Sequence, residues 1–454
     1  MTRALEIGAS ALEAAAGDEA EAIVVAERSG LARFAASEVH QPTLIENVVV
    51  TLRVAQDGKT GLASTNRIEP DGLRDLAARA AAAADSAPRD EDFPGLGTPE
   101  PLPEVTGCDD DTAELGPDDQ ARLAASAIAA ATSYPIYGYF TSGVTDFAVA
   151  SSTGVAASQL LTDATALVIA AADGASGYAD RTSWAAGRVD PADVAREAEE
   201  KAARTAGART IDAGRYRAVL EPYAFGELLQ YFAYVSFGAQ GLLEERSYLC
   251  GRIGKRVFDE RVSIADDALD PRGLPKAFDF EGMPKQRVAL VEEGIAREVV
   301  WDRQTAARAA DSAVTTGHAP PPSLREYGPL PFALSVGPGE AASADDLVEL
   351  VGDGIYVTRL HYLSIVDPRQ GVITGMTRDG TFRIRDGRVA EPLVNLRFTV
   401  SVPELLAEVP GLTREPKLVN QSDFYGERFP YGVLTPAIAT TDFNVSGVGS
   451  APGI

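Results

Sequence analysis

The stretch 219–235, VLEPYAFGELLQYFAYV, restricts the possible folds more than any other part of the chain. Its approach, residues 216–220, reads as a short strand. Pro222 stands where a helix can begin, since a first-turn proline lacks only an N–H that would have had no helical partner. Beyond it Phe225, Leu228, Leu229, Phe232 and Val235 recur at helical spacing. One face of that helix is therefore built for burial.

The 454 residues are enough for two or three domains with cores of their own. Hydrophobic residues make up 45% and charged residues 24%, which fits a soluble globular protein. No run approaches the ~18 apolar residues that a membrane span needs. The first residues, MTRALEIGASALEAAAGDEAEA, mix charge with Ala and Leu and lack an apolar signal core, so a cytoplasmic location is expected. Cys108 and Cys250 are the only cysteines. They make no disulfide framework and suit a reducing compartment. With 66 acidic against 41 basic residues the formal charge is −25. Such a field repels nucleic acid, and its simplest use is a well-solvated surface.

Taken in order, residues 3–16 read as an alanine-rich helix, and 22–27 and 30–35 as paired strands with Arg28-Ser29 near the turn. Residues 47–54 are the strongest strand signal of this half, and Asp57-Gly58 turns the chain into 60–63. A helix follows over 70–85, then a Pro-, Gly- and Asp-rich surface connection over 87–117, then a helix over 118–132. Strand-like segments at 136–141, 147–151, 156–161 and 164–172, separated by Gly143, Gly154 and Asp163, predict a meander. Asp190-Pro191 starts a helix that runs to about Thr205, and Gly207 ends it.

The remainder is mostly strand and loop. Residues 262–265, 287–292 and 295–301 are candidate strands, 345–350 a short helix, and repeated short strands run from 354 to 400. The expected class is α+β. Residues 1–207 would form an N-terminal α/β domain of sheet and helices, and 208–454 a C-terminal, mostly antiparallel β barrel or sandwich.

Few residues advertise chemistry. The only histidines are His40, His318 and His361. His318 follows a glycine in a proline-rich loop, a common setting for an exposed functional group. His361 stands on a strand beside Asp367-Pro368, where alternation puts His361 and Leu363 on one face and Tyr362 on the other. A cluster of His318, His361 and Asp367 is conceivable; two histidines satisfied by their surroundings is the preferred reading. Asp379-Gly380 reads as a hairpin turn, and Arg378 beside it either holds structure or grips a peptide carboxylate through two hydrogen bonds. There is no Gly-x-Ser-x-Gly elbow and no Walker-type phosphate loop.

The 219–235 stretch resembles the metal-site segment of the TldD/TldE (PmbA) metallopeptidase family, in which a Val-Leu-x-Pro strand end leads into a helix carrying Leu-Leu-His-Glu-x-x-x-His. Leu228-Leu229 match, and Gln230, Tyr231 and Val235 stand where that family has its two zinc-binding histidines and the glutamate base. In the Pro430-Tyr431-Gly432-Val433 run, Gly432 replaces the family's cysteine ligand. Zinc needs imidazole, thiolate or carboxylate donors, so the chain is similar to the zinc-less TldE/PmbA-like members. The resemblance is spread over further segments, among them DFEGMP at 279–284, TGHA at 316–319, GIYVT at 354–358 and TGMTRDGTF at 374–382.

What the resemblance implies is an N-terminal α/β domain, a C-terminal β domain, and a TldD-like metallopeptidase subunit as heterodimeric partner around an internal cavity. No cofactor is expected in this chain; zinc would sit in the partner. Gln230 and Tyr231 would either line the cavity or only pack the helix, the latter being preferred, and His318, His361, Arg378 and Asp379 are possible cavity or substrate contacts. The expected role is that of a non-catalytic subunit in the hydrolysis of unfolded or small peptides, without nucleic acid or membrane partners. Two alternatives stand beside it: one half of a dedicated amide hydrolase or N-deacetylase pair in natural-product biosynthesis, and a non-enzymatic peptide-binding homodimer.

Overall fold

In the computed structural model, which describes residues 2–309, 313–422 and 428–449, side-chain alternation builds a first sheet that is buried on both faces. β1 (Glu19–Ala35), β2 (Glu38–Gln56), β3 (Lys59–Thr65), β4 (Ile136–Ser151), β5 (Ala156–Ala172) and β6 (Ala175–Ser183) lie in the antiparallel order β3-β2-β1-β4-β5-β6. Helices α1 (Arg3–Ala14), α2 (Pro70–Ser86), α3 (Asp110–Glu114), α4 (Pro117–Ala130) and α5 (Pro191–Thr205) belong to the same half. Ala22 and Val24 of β1 point to one face, where they join Val50, Leu52 and the apolar side of α2. Ile23 and Val25 point to the other and meet Phe147, Phe278 and Phe280, brought in from the second half of the chain.

Several expected breaks are absent. β1 runs straight through Arg28-Ser29, because Arg28 is laddered to Glu46 on one side and Val144 on the other. β4 and β5 likewise continue through Gly143 and Asp163, which face each other across the ladder. These two residues seat a side chain rather than turn the chain. A Cβ on Gly143 would lie 2.7 Å from Arg428 Nε, and Arg428 donates from Nε and Nη2 to the two carboxylate oxygens of Asp163 at 2.8 and 2.6 Å. The 87–117 connection is irregular, as expected, except that it carries α3 and buries Leu96.

The second half begins with β7 (Gly214–Leu220), which leads directly into α6 (Pro222–Ser236). Strand Gly354–Asp367 pairs in parallel with β7, β7 with Ile438–Val448, that strand with Leu396–Ser401, that one with Val372–Arg385, and Val372–Arg385 pairs back with Gly354–Asp367. Five strands thus close a ring, antiparallel except at β7, so the barrel-like expectation holds. A second sheet of short strands includes Lys417–Asn420 and Gly432–Thr435. Of the expected strand over 295–301 only Ile295–Ala296 forms a strand, and Val300 makes an isolated bridge to Gly238. In α6, Phe225, Leu228, Leu229 and Phe232 are fully buried in the largest core, whereas Val235 is half-buried. Among the described residues no helix is long and apolar enough to cross a membrane.

The Arg428–Asp163 pair joins a residue near the end of the chain to the middle of the first sheet, with both side chains buried. Asp163→Asn should therefore destabilise the protein by about 3–5 kcal/mol in urea unfolding, because it neutralises the carboxylate that meets the buried guanidinium through two hydrogen bonds. The double change Asp163→Leu with Arg428→Met should recover most of that loss.

Candidate functional site

Helix α6 is apolar on most of its surface, but Tyr223, Glu227, Tyr231 and Tyr234 follow one another at spacings of four, four and three. That spacing puts them on one stripe. The stripe forms one wall of a cavity of about 340 Å³. Tyr139 of β4, Leu167 of β5 and Tyr178 of β6 form the facing wall, while Arg359, Tyr431 and residues 419–422 complete it. The cavity thus lies where the first sheet, α6 and the C-terminal strands meet, and its lining is dominated by phenols.

Beneath Tyr178 and Tyr223 is a half-buried ionic network. Tyr178 donates to Asp180 Oδ2 at 2.7 Å and Tyr223 to Glu197 Oε1 at 3.0 Å. Glu197 also meets Lys201 at 3.0 Å, Arg181 at 3.1 Å and Lys417 at 3.3 Å. Lys201 reaches Glu221, at the start of α6, at 2.7 Å. Burial alone would raise the Glu197 carboxyl, yet the cations around it hold it at about 2. Burial lowers Lys417 to about 8 against the opposing pull of Glu197.

Two groups in the cavity wall carry charge. Arg359 is committed: it bonds Asp379 Oδ2 at 2.8 Å and lies 4.0 Å over the ring of Tyr178. Glu227 has no hydrogen-bond partner among the described residues, and burial pushes its carboxyl up to about 7 against the pull of Arg359. Tyr231, one turn further along α6, has no hydrogen-bond partner for its hydroxyl among the described residues either. Tyr234 bonds Tyr431 through their hydroxyls at 2.9 Å.

The residues expected from the resemblance to stand at the family's metal-ligand positions offer zinc nothing suitable. Gln230 is buried and faces away from the cavity; its Nε2 donates to Pro331 O at 3.2 Å, and its Oε1 has no partner among the described groups. Tyr231 is half-buried in the cavity wall and burial raises its phenol. Val235 contributes only methyl groups. Gly432 is buried at the start of its strand, and a Cβ there would lie 2.6 Å from Val419 O. An amide, a neutral phenol, an isopropyl group and bare backbone do not make a zinc site. Among the described residues no group of three or more His, Cys, Asp and Glu side chains is placed to hold a metal ion.

The remaining candidates separate into two places. His318 is buried, not exposed on its loop: Nε2 lies 2.8 Å from Asp266 Oδ1 and Nδ1 2.9 Å from Thr316 Oγ1. Burial keeps its pKa below the ordinary imidazole value. Asp367 caps its own turn by accepting from the N–H groups of Arg369 and Gln370. His318, His361 and Asp367 therefore form no common cluster. His361, Arg378 and Asp379 do come together on the ladder between Gly354–Asp367 and Val372–Arg385, where Arg359 pairs with Arg378 and His361 with Met376. Burial, reinforced by Arg359 and Arg378, lowers His361 to about 4. Tyr362 has a φ of 53° and its ring meets that of His361 at 4.0 Å, so the two do not simply point to opposite faces.

Asp379-Gly380 is not a hairpin turn. Both residues lie inside strand Val372–Arg385, where they bulge opposite Thr358 with φ of 53° and 132°. The bulge turns the buried Asp379 carboxylate toward Arg359. The turn itself is made one Asp-Gly pair later, at Asp386 and Gly387. Sequence reasoning missed Glu227 and Arg359. Glu227 left a signal, as the one carboxylate on the tyrosine stripe of an otherwise apolar helix; Arg359 left none.

The raised pKa of Glu227 has a signed consequence. Its neutral form favours the folded state, a contribution fully present below the unfolded value near 4.5 and lost as pH rises through about 7. Glu227→Gln should therefore gain on the parent protein by up to roughly 3 kcal/mol between pH 4.5 and 7 and no further above it. Urea unfolding of both proteins across that range checks this.

Comparison with known proteins gives a consistent result. Residues 213–447 match the PmbA/TldA metallopeptidase C-terminal domain and residues 20–84 match PmbA/TldA metallopeptidase domain 1. A metalloprotease of Methanothermobacter thermautotrophicus is 27% identical over 270 residues, 57% of this chain and 56% of that protein. A metalloprotease TldD homolog of Haemophilus influenzae is 26% identical over 211 residues, 45% of this chain and 42% of that protein. The matched region thus spans about half the length of these curated relatives. The crystal structure of TldE from Thermococcus kodakarensis superposes with a TM-score of 0.85 at 20% identity, covering 97% of this chain and 99% of that one. At that identity the likeness establishes a shared fold.

Proposed function

The chain belongs to the PmbA/TldD metallopeptidase family, and we propose that it serves there as a TldE/PmbA-like subunit without zinc chemistry of its own. A TldD-like partner would supply the zinc and the base. This chain would complete the chamber in which an unfolded or small peptide is cut. The observation that carries the reading is the donor set: Gln230, Tyr231, Val235 and Gly432 at the family's ligand positions. The fold shared with the archaeal TldE supports it.

On this reading the chain's own residues bind and orient. Phenols give the cavity aromatic faces with hydrogen-bonding tips beside polar side chains, suited to a peptide whose side chains vary. Arg378, a quarter exposed beside the cavity's Arg359, would take a peptide carboxylate. A chamber closed by two subunits admits extended segments and excludes folded proteins by size.

The test is to purify this chain alone and co-expressed with a family member that retains His-Glu-x-x-x-His. Alone it should hold no stoichiometric zinc by elemental analysis and should cleave no peptide. Together the two should co-elute, and cleavage should depend on the partner's glutamate. Zinc at one equivalent with peptide cleavage by the isolated chain would sink the proposal.

A further inference from the structure

The cavity on α6 contains an unused carboxyl group in an aromatic setting. Glu227 and the Tyr231 hydroxyl both face it, and neither has a hydrogen-bond partner among the described residues. The nearby cations are already matched. Arg359 is paired with Asp379. Behind the wall, Lys201, Lys417 and Arg181 stand among Glu197, Glu221 and Asp180. Ionised Glu227 is thus the one charge in the wall without an opposite charge in direct contact among the described residues.

The surrounding rings already show what they attract. Lys417 lies 4.1 Å and Lys201 4.8 Å from the centre of the Tyr223 ring, and Arg359 lies 4.0 Å from that of Tyr178. Cations sit over aromatic faces because the ring's quadrupole is negative there. We propose that this cavity binds the protonated amino group of a peptide, held by the Glu227 carboxylate and the Tyr231 hydroxyl within the ring of phenols. The ammonium comes either from a free N-terminus or from a lysine side chain; the chemistry is the same.

A cation here also restores a balance that folding leaves unmet. Apart from Glu227, the titratable groups facing the cavity among the described residues are Tyr223, Tyr231 and Tyr234 on α6, Tyr139 and Tyr178 on the first sheet, and Arg359 and Tyr431 from the C-terminal half. Phenols and guanidinium do not change charge below pH 8. Between pH 5.5 and 7 Glu227 is therefore the group that titrates among the described residues of the lining, and an arriving ammonium favours its ionised form. Binding should strengthen with pH over that interval.

The inference deepens the proposed role by naming what the cavity recognises, yet it is tested without any partner. Three probes are titrated by calorimetry into the full-length chain at pH 7: trialanine amide, N-acetyl-lysine amide and N-acetyl-trialanine amide. One or both of the first two should bind and the third, which carries no ammonium, should not; which of the two binds identifies the source. Glu227→Gln should weaken binding at least tenfold and remove its pH dependence, and Tyr231→Phe should weaken it less. Equal binding of all three probes, unchanged binding by Glu227→Gln, or no binding by the folded parent protein would overturn the inference. Peptide cleavage that fails in the co-expressed pair would count against the subunit role and leave amine binding standing.

Discussion

The enclosure of half-buried Glu197 by three cations fixes the geometry of the candidate site. Its carboxylate is on α5, and its partners Arg181, Lys417 and Tyr223 come from β6, the Lys417–Asn420 strand and α6. Four elements from both halves of the chain are thereby tied at one point. Removing several charges from water is costly, and only the mutual attraction of well-placed partners offsets it. An arrangement of this kind tolerates little displacement. Because Tyr223 belongs both to the network and to the cavity wall, α6 cannot rotate or slide without breaking it. The tyrosine stripe is held in place from below, while Phe225, Leu228, Leu229 and Phe232 hold the opposite side of the helix in the main core.

The first sheet depends on a similar clamp. Arg428 crosses to Asp163, and the missing side chain at Gly143 makes room for it. The residues that bring the two halves together are charged and at least half-buried, and each is held by several polar partners at once. Phe278, stacked on Phe147 at 4.9 Å, and Phe280, tilted against it at 4.8 Å, then add apolar area to the same junction.

Elements whose stability is local were legible in the sequence. The periodicity of α6, the Asp190-Pro191 start of α5 and the Asp57-Gly58 hairpin each needed only neighbouring residues to be understood. Misreadings occurred where a residue's conformation is set by a distant partner. Arg28-Ser29 looks like a turn until β2 and β4 lie on both sides of it. Asp379-Gly380 has hairpin composition, but Arg359 on the adjacent strand captures the aspartate in a bulge. The cavity was the least legible feature, since Tyr139, Tyr178, Glu227, Arg359 and Tyr431 are scattered along the chain and meet only in the folded protein. The stripe on α6 was the part of it that a single segment could reveal.

The unsuitability for zinc at the expected ligand positions extends from side chains into the main chain. Gln230 could be exchanged for an imidazole within the same helical turn, and its amide is not an obviously stabilising choice, with a buried Oε1 that has no partner among the described groups. An unmet acceptor of that kind costs about 1–3 kcal/mol. Gly432 is different. Its strand pairs with Lys417–Asn420, and Val419 O stands 2.6 Å from where a Cβ would be. A thiolate could not be restored there without moving backbone that is hydrogen-bonded in a sheet, and Gly226 of α6 rests against the same Val419. The space a ligand would occupy has been taken up by strand packing that also supports the cavity wall. The closed backbone at Gly432 and the cavity are thus coupled through one segment, Lys417–Asn420, which contributes Lys417 to the ionic network, Val419 to the packing against Gly432 and Asn420 to the lining.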